Sequence, residues 1–115
     1  MNWRVDMRIM GFSQRWDKLS NPVWTTIRFP RKDKDWMVGE IVQIVLHPRS
    51  KEREVLGIAK IVNKESRDLF RVGLSENEIH GEGFGNKEEM GQWLDKTYGR
   101  RWLDEPMNLL RLKYE

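Results

Sequence analysis

The feature that most constrains this fold is a series of short segments rich in β-branched and aromatic residues, separated by proline, glycine or charged loops. The clearest of these predicted strands are residues 23–29, 40–46 and 54–63. Weaker strand patterns cover residues 5–12, 69–72 and 107–114. Gly57 lies inside the third clear segment and predicts a bulge or bend, as is found at the corners of small barrels.

Three short helices are predicted between these strands. Ser13 can cap the first, and the Asn21-Pro22 step ends it because the residue before proline avoids the helical region. The second begins at Ser75, which has capping-box spacing to Glu78, and ends near residues 81–83. The third and longest covers residues 86–98. Apolar residues at helical spacing predict the buried faces: Phe12, Trp16, Leu19, Met90, Trp93, Leu94 and Tyr98.

A chain of 115 residues suits one domain, so residues 1–115 are predicted to form a single unit. Strands joined by short loops, with helices nearer the ends, favour the α+β class and a small β-barrel with flanking short helices.

Composition excludes several kinds of chemistry. The chain has no cysteine, which excludes disulfides, thiolate metal sites and cysteine nucleophiles, and its two histidines make a histidine metal cluster improbable. We therefore expect no metal and no cofactor. The start of the chain lacks a signal-peptide pattern, and no segment approaches the roughly 18 apolar residues that a membrane span requires. These observations predict a cytoplasmic protein without a membrane partner.

The charge distribution permits a polyanionic partner. The net charge is +3, but residues 1–53 carry 11 basic and 6 acidic residues (+5), whereas residues 54–115 carry 10 and 12 (−2). The basic residues of the first half include two loop clusters, Arg31, Lys32 and Lys34 and then Arg49, Lys51 and Arg53. Both clusters are interleaved with acids, so they equally suit solvated loops.

The strand at residues 23–29 is the strongest candidate for a ligand site. Because side chains alternate along a strand, Trp24, Thr26 and Arg28 share one face. An aromatic ring, a hydroxyl and a guanidinium suit stacking on a base and binding a phosphate or carbonyl. The alternative is structural, with Trp24 in the core and Arg28 paired with a carboxylate such as Glu82.

Residues 16–28 resemble the opening of an ASCH domain, whose motif is approximately Gly-x-Lys-x-x-Thr-x-Arg. Thr26 and Arg28 match the last two motif positions, while Asn21 and Val23 stand where the family has glycine and lysine. Downstream, residues 38–40 resemble the family's glycine–acid turn, and residues 82–84 resemble its Glu-Gly-Phe segment before a helix. The similarity covers roughly residues 12–113, and the order of the motifs is its most specific part.

The resemblance implies a PUA-like β-barrel with a cleft between barrel and helices, and RNA as the ligand. Some bacterial members are amidohydrolases of an acylated cytidine nucleoside that use a lysine, a threonine and a glutamate. The threonine corresponds to Thr26 and the glutamate to Glu82, but the lysine corresponds to Val23, which can neither carry a proton nor act as a nucleophile. Lys18 is a lysine close by in sequence.

We therefore expect a noncatalytic module that binds RNA or a nucleotide-like molecule. Its predicted binding residues are Trp24, Thr26, Arg28, Arg31, Lys32 and Glu82. The first alternative is an enzyme, either an amidohydrolase of acylated cytidine or a ribonuclease, in which Thr26 and Glu82 are essential. The second is a protein-interaction adaptor that exposes tryptophans outside the periodic stripes: Trp3, Trp36 and Trp102.

Overall fold

The structure is a computed structural model that describes residues 7–115. Its strands are β1 (Arg8–Phe12), β2 (Val23–Arg28), β3 (Ile41–Leu46), β4 (Glu54–Arg67) and β5 (Met107–Tyr114). Its α-helices are α1 (Glu76–Glu82), α2 (Lys87–Tyr98) and α3 (Arg101–Asp104), and a 3-10 helix covers Asp17–Ser20. None of the helices in this part of the chain is long and apolar enough to cross a membrane.

The five strands form one mixed sheet in the order β1-β3-β4-β5-β2. Strand β1 runs parallel to β3, and the other neighbours are antiparallel. The α+β class predicted from the sequence is confirmed. Strands β1 and β2 are the two edges, and the strand pairing within residues 7–115 does not close the sheet.

Two irregularities bend the long strand β4, which pairs with both β3 and β5. The pairing with β3 passes from Gly57 to Val55, so Leu56 is an extra residue there. The pairing with β5 likewise skips Val62. Bulges bend a strand and increase its twist. The bulge predicted at Gly57 is therefore confirmed, and it lets β4 follow two neighbouring strands.

Strand β2 separates two apolar clusters because its alternate side chains point to opposite sides. Trp24 packs with residues of the sheet such as Ile44 and Leu112. Ile27 packs with residues brought by the helices, including Phe84 and Leu94. A one-residue shift of β2 would exchange these two sets, so its register is strongly specified.

The helix ends follow their local sequence signals closely. Both hydrogen bonds of the capping box between Ser75 and Glu78 are formed, and the Asn86 side chain accepts a hydrogen bond from the Glu89 N–H. The prediction of a strand at residues 69–72 was wrong. These residues form turns, because the Asp68 carboxylate accepts hydrogen bonds from both the backbone and the side chain of Arg71.

Three further differences concern local structure and tryptophan exposure. The first predicted helix is a single 3-10 turn that begins at Asp17 without a side-chain cap, and α3 was not predicted. Trp36 and Trp102 are both buried, which weakens the adaptor hypothesis. Trp3 lies outside the described residues.

Asp35 anchors the loop between β2 and β3 to the sheet. Its carboxylate accepts hydrogen bonds from Lys64 Nζ at 2.9 Å and from the buried Asn108 Nδ2 at 2.9 Å. The backbone N–H groups of Arg31 and Trp36 also donate to it. Burial raises the pKa of Asp35, but these hydrogen bonds outweigh that effect and lower the pKa from 3.8 to about 2.

We expect Asp35→Asn to lower the free energy of unfolding by about 2–3 kcal/mol at pH 7, since one pKa unit corresponds to about 1.4 kcal/mol. The folded-state pKa is depressed from 3.8 to about 2, so the stabilisation is complete above about pH 5 and is lost progressively as the pH falls towards 2. Urea unfolding at pH 7, 4 and 2 measures this. The exposed Asp104→Asn is the control, and an equal loss at all three pH values would contradict the assignment.

Candidate functional site

A cavity of about 100 Å³ lies where β2, the 3-10 helix, α1 and α2 meet. Four polar side chains lie along it: Lys18, Thr26, Arg28 and Glu82. Three of the predicted site residues, Thr26, Arg28 and Glu82, therefore converge on one place. Lys18, which no motif indicated, joins them.

A buried ion pair forms the polar wall of this cavity. Lys18 Nζ lies 3.2 Å from Glu82 Oε1, and the two side chains are 7% and 3% exposed. The Thr25 hydroxyl donates a hydrogen bond to the second oxygen, Glu82 Oε2. Burial lowers the pKa of Lys18, and the negative charge of Glu82 opposes that effect. A lysine with a lowered pKa loses its proton more readily to give the neutral amine, the form that can accept a proton from a ligand.

Gly83 explains how Glu82 reaches this position at the end of α1. The glycine has a φ of +108°, a conformation that side-chain-bearing residues rarely adopt. A Cβ atom at Gly83 would also lie 2.7 Å from Trp16 Cε3. The chain therefore turns sharply after Glu82, and the Trp16 ring packs directly on the backbone of Gly83.

Aromatic side chains form a second wall of the cavity. The rings of Trp16, Phe84 and Trp93 contact one another, with centroids 5.4 to 5.8 Å apart. Tyr98 extends this wall towards Phe29, at a centroid distance of 5.1 Å. Burial raises the pKa of Tyr98, so its hydroxyl stays protonated at neutral pH. The wall offers flat apolar surface together with the Tyr98 hydroxyl and the indole N–H groups of Trp16 and Trp93.

Arg28 connects the two edge strands at the mouth of the cavity. Its Nη2 donates a hydrogen bond to the Gly11 carbonyl oxygen at 2.6 Å, and its Cζ lies 4.5 Å from the centre of the Phe12 ring. Glu82 is hydrogen-bonded to Lys18 and Thr25, and the ion pairs formed within residues 7–115 include none between Glu82 and Arg28.

The other predicted site residues lie apart from the cavity. Trp24 is buried in the sheet cluster. The centroid of its ring lies 5.6 Å from that of Phe12 and 5.8 Å from that of Tyr114. Arg31 and Lys32 are exposed on the loop after β2. The prediction that Trp24 and Thr26 lie on the same face of β2 is consistent with the structure. At Trp24, however, this face packs into the core of the sheet cluster and is not open to a ligand.

The sequence missed Lys18, Thr25 and the aromatic wall as site residues. Strand alternation placed Thr25 on the face opposite Thr26, and α1 packs against that face and brings Glu82 to it. Trp16 and Trp93 lay on predicted buried stripes, yet both are only half-buried at the cavity. For Lys18, the one available signal was its closeness in sequence to the motif.

A comparison of the chain with protein-family models, curated proteins and solved structures found no match. Within residues 7–115, no three histidine, aspartate or glutamate side chains are grouped so that they could hold a metal ion. The chemistry of the cavity itself is therefore the basis for assigning a function.

We expect Lys18→Met and Glu82→Gln to lower the free energy of unfolding by about 3–5 kcal/mol each, because each leaves the other polar group buried without its partner. The free energy of unfolding of the double variant should fall by at least about 1 kcal/mol less than the sum of the losses in the two single variants. Urea unfolding of the four proteins measures the coupling.

The exposed pair Arg101–Glu105, four residues apart on adjacent turns, provides the matched control. The same cycle at this pair should give a coupling of only about 0.3–0.5 kcal/mol. If the losses at Lys18 and Glu82 are additive within about 0.5 kcal/mol, the two side chains do not interact as described.

Proposed function

We propose that this protein binds a nucleobase in the cavity, as part of RNA or of a nucleotide. The observation that supports the proposal is that Lys18, Thr26, Arg28 and Glu82 line the same cavity as the aromatic wall. Bases in single-stranded RNA are bound by stacking on aromatic rings and by hydrogen bonds along their polar edges. A carboxylate accepts from an exocyclic amine, while a hydroxyl, an ammonium or a guanidinium donates to a ring carbonyl.

The size of the cavity supports a single base as its occupant. Pockets that hold drug-sized ligands measure roughly 300–1,000 Å³. The volume here is about 100 Å³, which suits one flat ring better than a whole nucleotide. The sugar and phosphate of the ligand would then lie outside.

The proposal includes membership of the ASCH family and a PUA-like barrel. Thr26, Arg28 and Glu82, the residues that carry the resemblance, lie together at the cavity. The edges β1 and β2 also approach each other, through the hydrogen bond from Arg28 to Gly11 and the contact between the rings of Phe12 and Trp24. Such an approach is expected where a strongly bent sheet comes close to closing.

Binding can be followed by the fluorescence of Trp16 and Trp93, which lie in the cavity wall. We expect at least one of the four ribonucleosides, or a short single-stranded RNA, to change this fluorescence saturably. Glu82→Gln should weaken that binding about tenfold or more, because an uncharged amide accepts a weaker hydrogen bond than a carboxylate. The exposed Glu88→Gln should bind like the original protein. No response to any nucleoside or RNA at millimolar concentration would refute the proposal.

A second candidate function, hydrolysis of an acylated cytidine-type nucleoside, is favoured by the position of Lys18. Val23, which stands at the lysine position of the hydrolytic relatives, is 44% exposed. The buried Lys18 instead brings an amine to within 3.2 Å of Glu82. The group that the motif lacks is thus supplied from the preceding 3-10 helix.

In this reaction the neutral amine of Lys18 would take the proton of the Thr26 hydroxyl, while the Thr26 oxygen attacks the acyl carbon of the substrate. The C–N bond then breaks, and the leaving amine receives that proton from Lys18. Lys18 then takes a proton from water, whose oxygen attacks the acyl carbon of the Thr26 ester. The bond between that carbon and the Thr26 oxygen breaks, the acid is released, and Lys18 returns the proton to the Thr26 oxygen. Glu82 would hold the ammonium form of Lys18 in place between the steps.

Turnover of N-acetylated cytidine by the pure protein tests this second function. We expect Lys18→Arg and Thr26→Val to reduce turnover by at least about 100-fold, since loss of a general base typically costs 10²–10⁴-fold. Val23→Lys should leave it unchanged, because that side chain starts from an exposed position. Circular dichroism checks that each variant is folded. Hydrolysis at this site would be excluded if the protein shows no turnover of N-acetylated cytidine. It would also be excluded if turnover persists in both Lys18→Arg and Thr26→Val, or if cleavage of RNA is the only activity found.

A further inference from the structure

A second depression, a groove of about 540 Å³, opens beside the cavity. It lies between the end of β1, the loop after β2 and the turn after β3. The two spaces share Gly11, Phe12, Ser13 and Arg28, so the Arg28 guanidinium lies at their common border. A ligand with its base in the cavity would extend past Arg28 into this groove.

The groove is strongly basic. Arg28, Arg31, His47 and Arg49 line it, and none of its lining residues is acidic, although the chain has 18 acidic residues. Arg49 is exposed and takes part in none of the ion pairs formed within residues 7–115. Arg31 pairs with Asp33, but both side chains are largely exposed, and such a pair is readily exchanged for a stronger anion.

A well-defined turn holds Arg49 at the groove. His47 has a positive φ of 48°, and its backbone N–H donates a hydrogen bond to the Phe12 carbonyl oxygen at 2.8 Å. The next residue, Pro48, packs so closely on Gly11 that a Cβ atom there would lie 2.7 Å from Pro48 Cγ. The turn is therefore fixed to the end of β1, and Arg49 follows directly from it. Because the backbone of the turn is already ordered, only the Arg49 side chain loses conformational entropy when a ligand binds.

We propose that this groove binds the phosphate of the ligand whose base occupies the cavity. The inference rests on the proposed function and makes it more specific: the ligand is a phosphorylated nucleotide or a nucleotide within RNA, not a free nucleoside. Arginine suits this role because its planar donors match two phosphate oxygens at once. Arg49 and Arg28 would contact the phosphate from opposite sides of the border between groove and cavity.

The test compares the four ribonucleosides with their 5′- and 3′-monophosphates and with a mixed-sequence single-stranded RNA of eight nucleotides. Affinities are measured by tryptophan fluorescence at 50 and 500 mM salt. We expect a phosphate-bearing ligand to bind at least tenfold more tightly than its nucleoside at low salt. This advantage should shrink at high salt, whereas nucleoside binding should change little.

Charge reversal at Arg49 provides the decisive comparison. Arg49→Glu should abolish the advantage of the phosphate while leaving nucleoside binding intact. Lys51→Glu is the matched control, since Lys51 is an exposed cation two residues further along and does not line the groove. Both substitutions change the net charge equally. A general electrostatic effect would therefore reduce the affinity of the two variants for the phosphate-bearing ligand alike.

The outcomes separate the two proposals. If nucleosides bind but phosphates add nothing, or if Arg49→Glu and Lys51→Glu have equal effects, the phosphate groove is wrong and the base-binding cavity stands. If nothing binds, both are wrong. An Arg49 effect with monophosphates supports a free nucleotide as ligand, and the same effect with the oligonucleotide alone supports an RNA backbone.

Discussion

The ion pair between Lys18 and Glu82 is the interaction on which the candidate site depends. It links the 3-10 helix to the end of α1, and the Thr25 hydroxyl joins β2 to the same carboxylate. Removing two charges from water costs several kcal/mol each, and their mutual attraction offsets this only when the geometry is good. An apolar pair of similar volume would serve stability as well or better. The buried pair is therefore weak evidence for stability, and the proposed function gives it a chemical role instead.

Strand β2 explains why the site lies where it does. Trp24 packs into the sheet cluster and Ile27 into the helical cluster, so this strand is held from both sides. Arg28 lies at its end and reaches across to the Gly11 carbonyl oxygen of the other edge strand. Strand β2 therefore ends at the point where the cavity and the groove meet. A binding group on such an element keeps its position without a ligand.

The parts of the fold that the sequence predicted are those with local signals. The capping box of Ser75 and Glu78, the cap at Asn86 and the bulge near Gly57 each depend on residues close together in sequence. The wrong strand at residues 69–72 also had a local cause, the hydrogen bonds between Asp68 and Arg71, whereas other differences arise from longer-range contacts. Strand β4 continues to Arg67 through polar residues because β5 pairs with it along that length.

The candidate site shows the same division between local and long-range information. Motif order brought Thr26, Arg28 and Glu82 to attention, and all three lie at the cavity. Trp24 belongs to the same strand face, but whether a ligand or the core covers that face depends on residues such as Phe12 and Tyr114, far away in sequence. Thr25 contacts Glu82 across 57 positions, a separation over which spacing in sequence carries no information.

Lys18 shows why a missing motif residue is weak evidence for a missing function. A motif records the backbone position from which a group usually comes, whereas chemistry depends on where its atoms lie. The lysine position of the motif holds Val23, which is largely exposed, yet an ammonium group lies against Glu82 because the 3-10 helix folds over the cavity. An amine, two hydroxyls and a carboxylate thus lie near one another at this cavity, although no spacing in the sequence indicated the amine. Hydrolysis, unlike binding, would require Lys18 to release its proton, which its burial favours and the negative charge of Glu82 opposes.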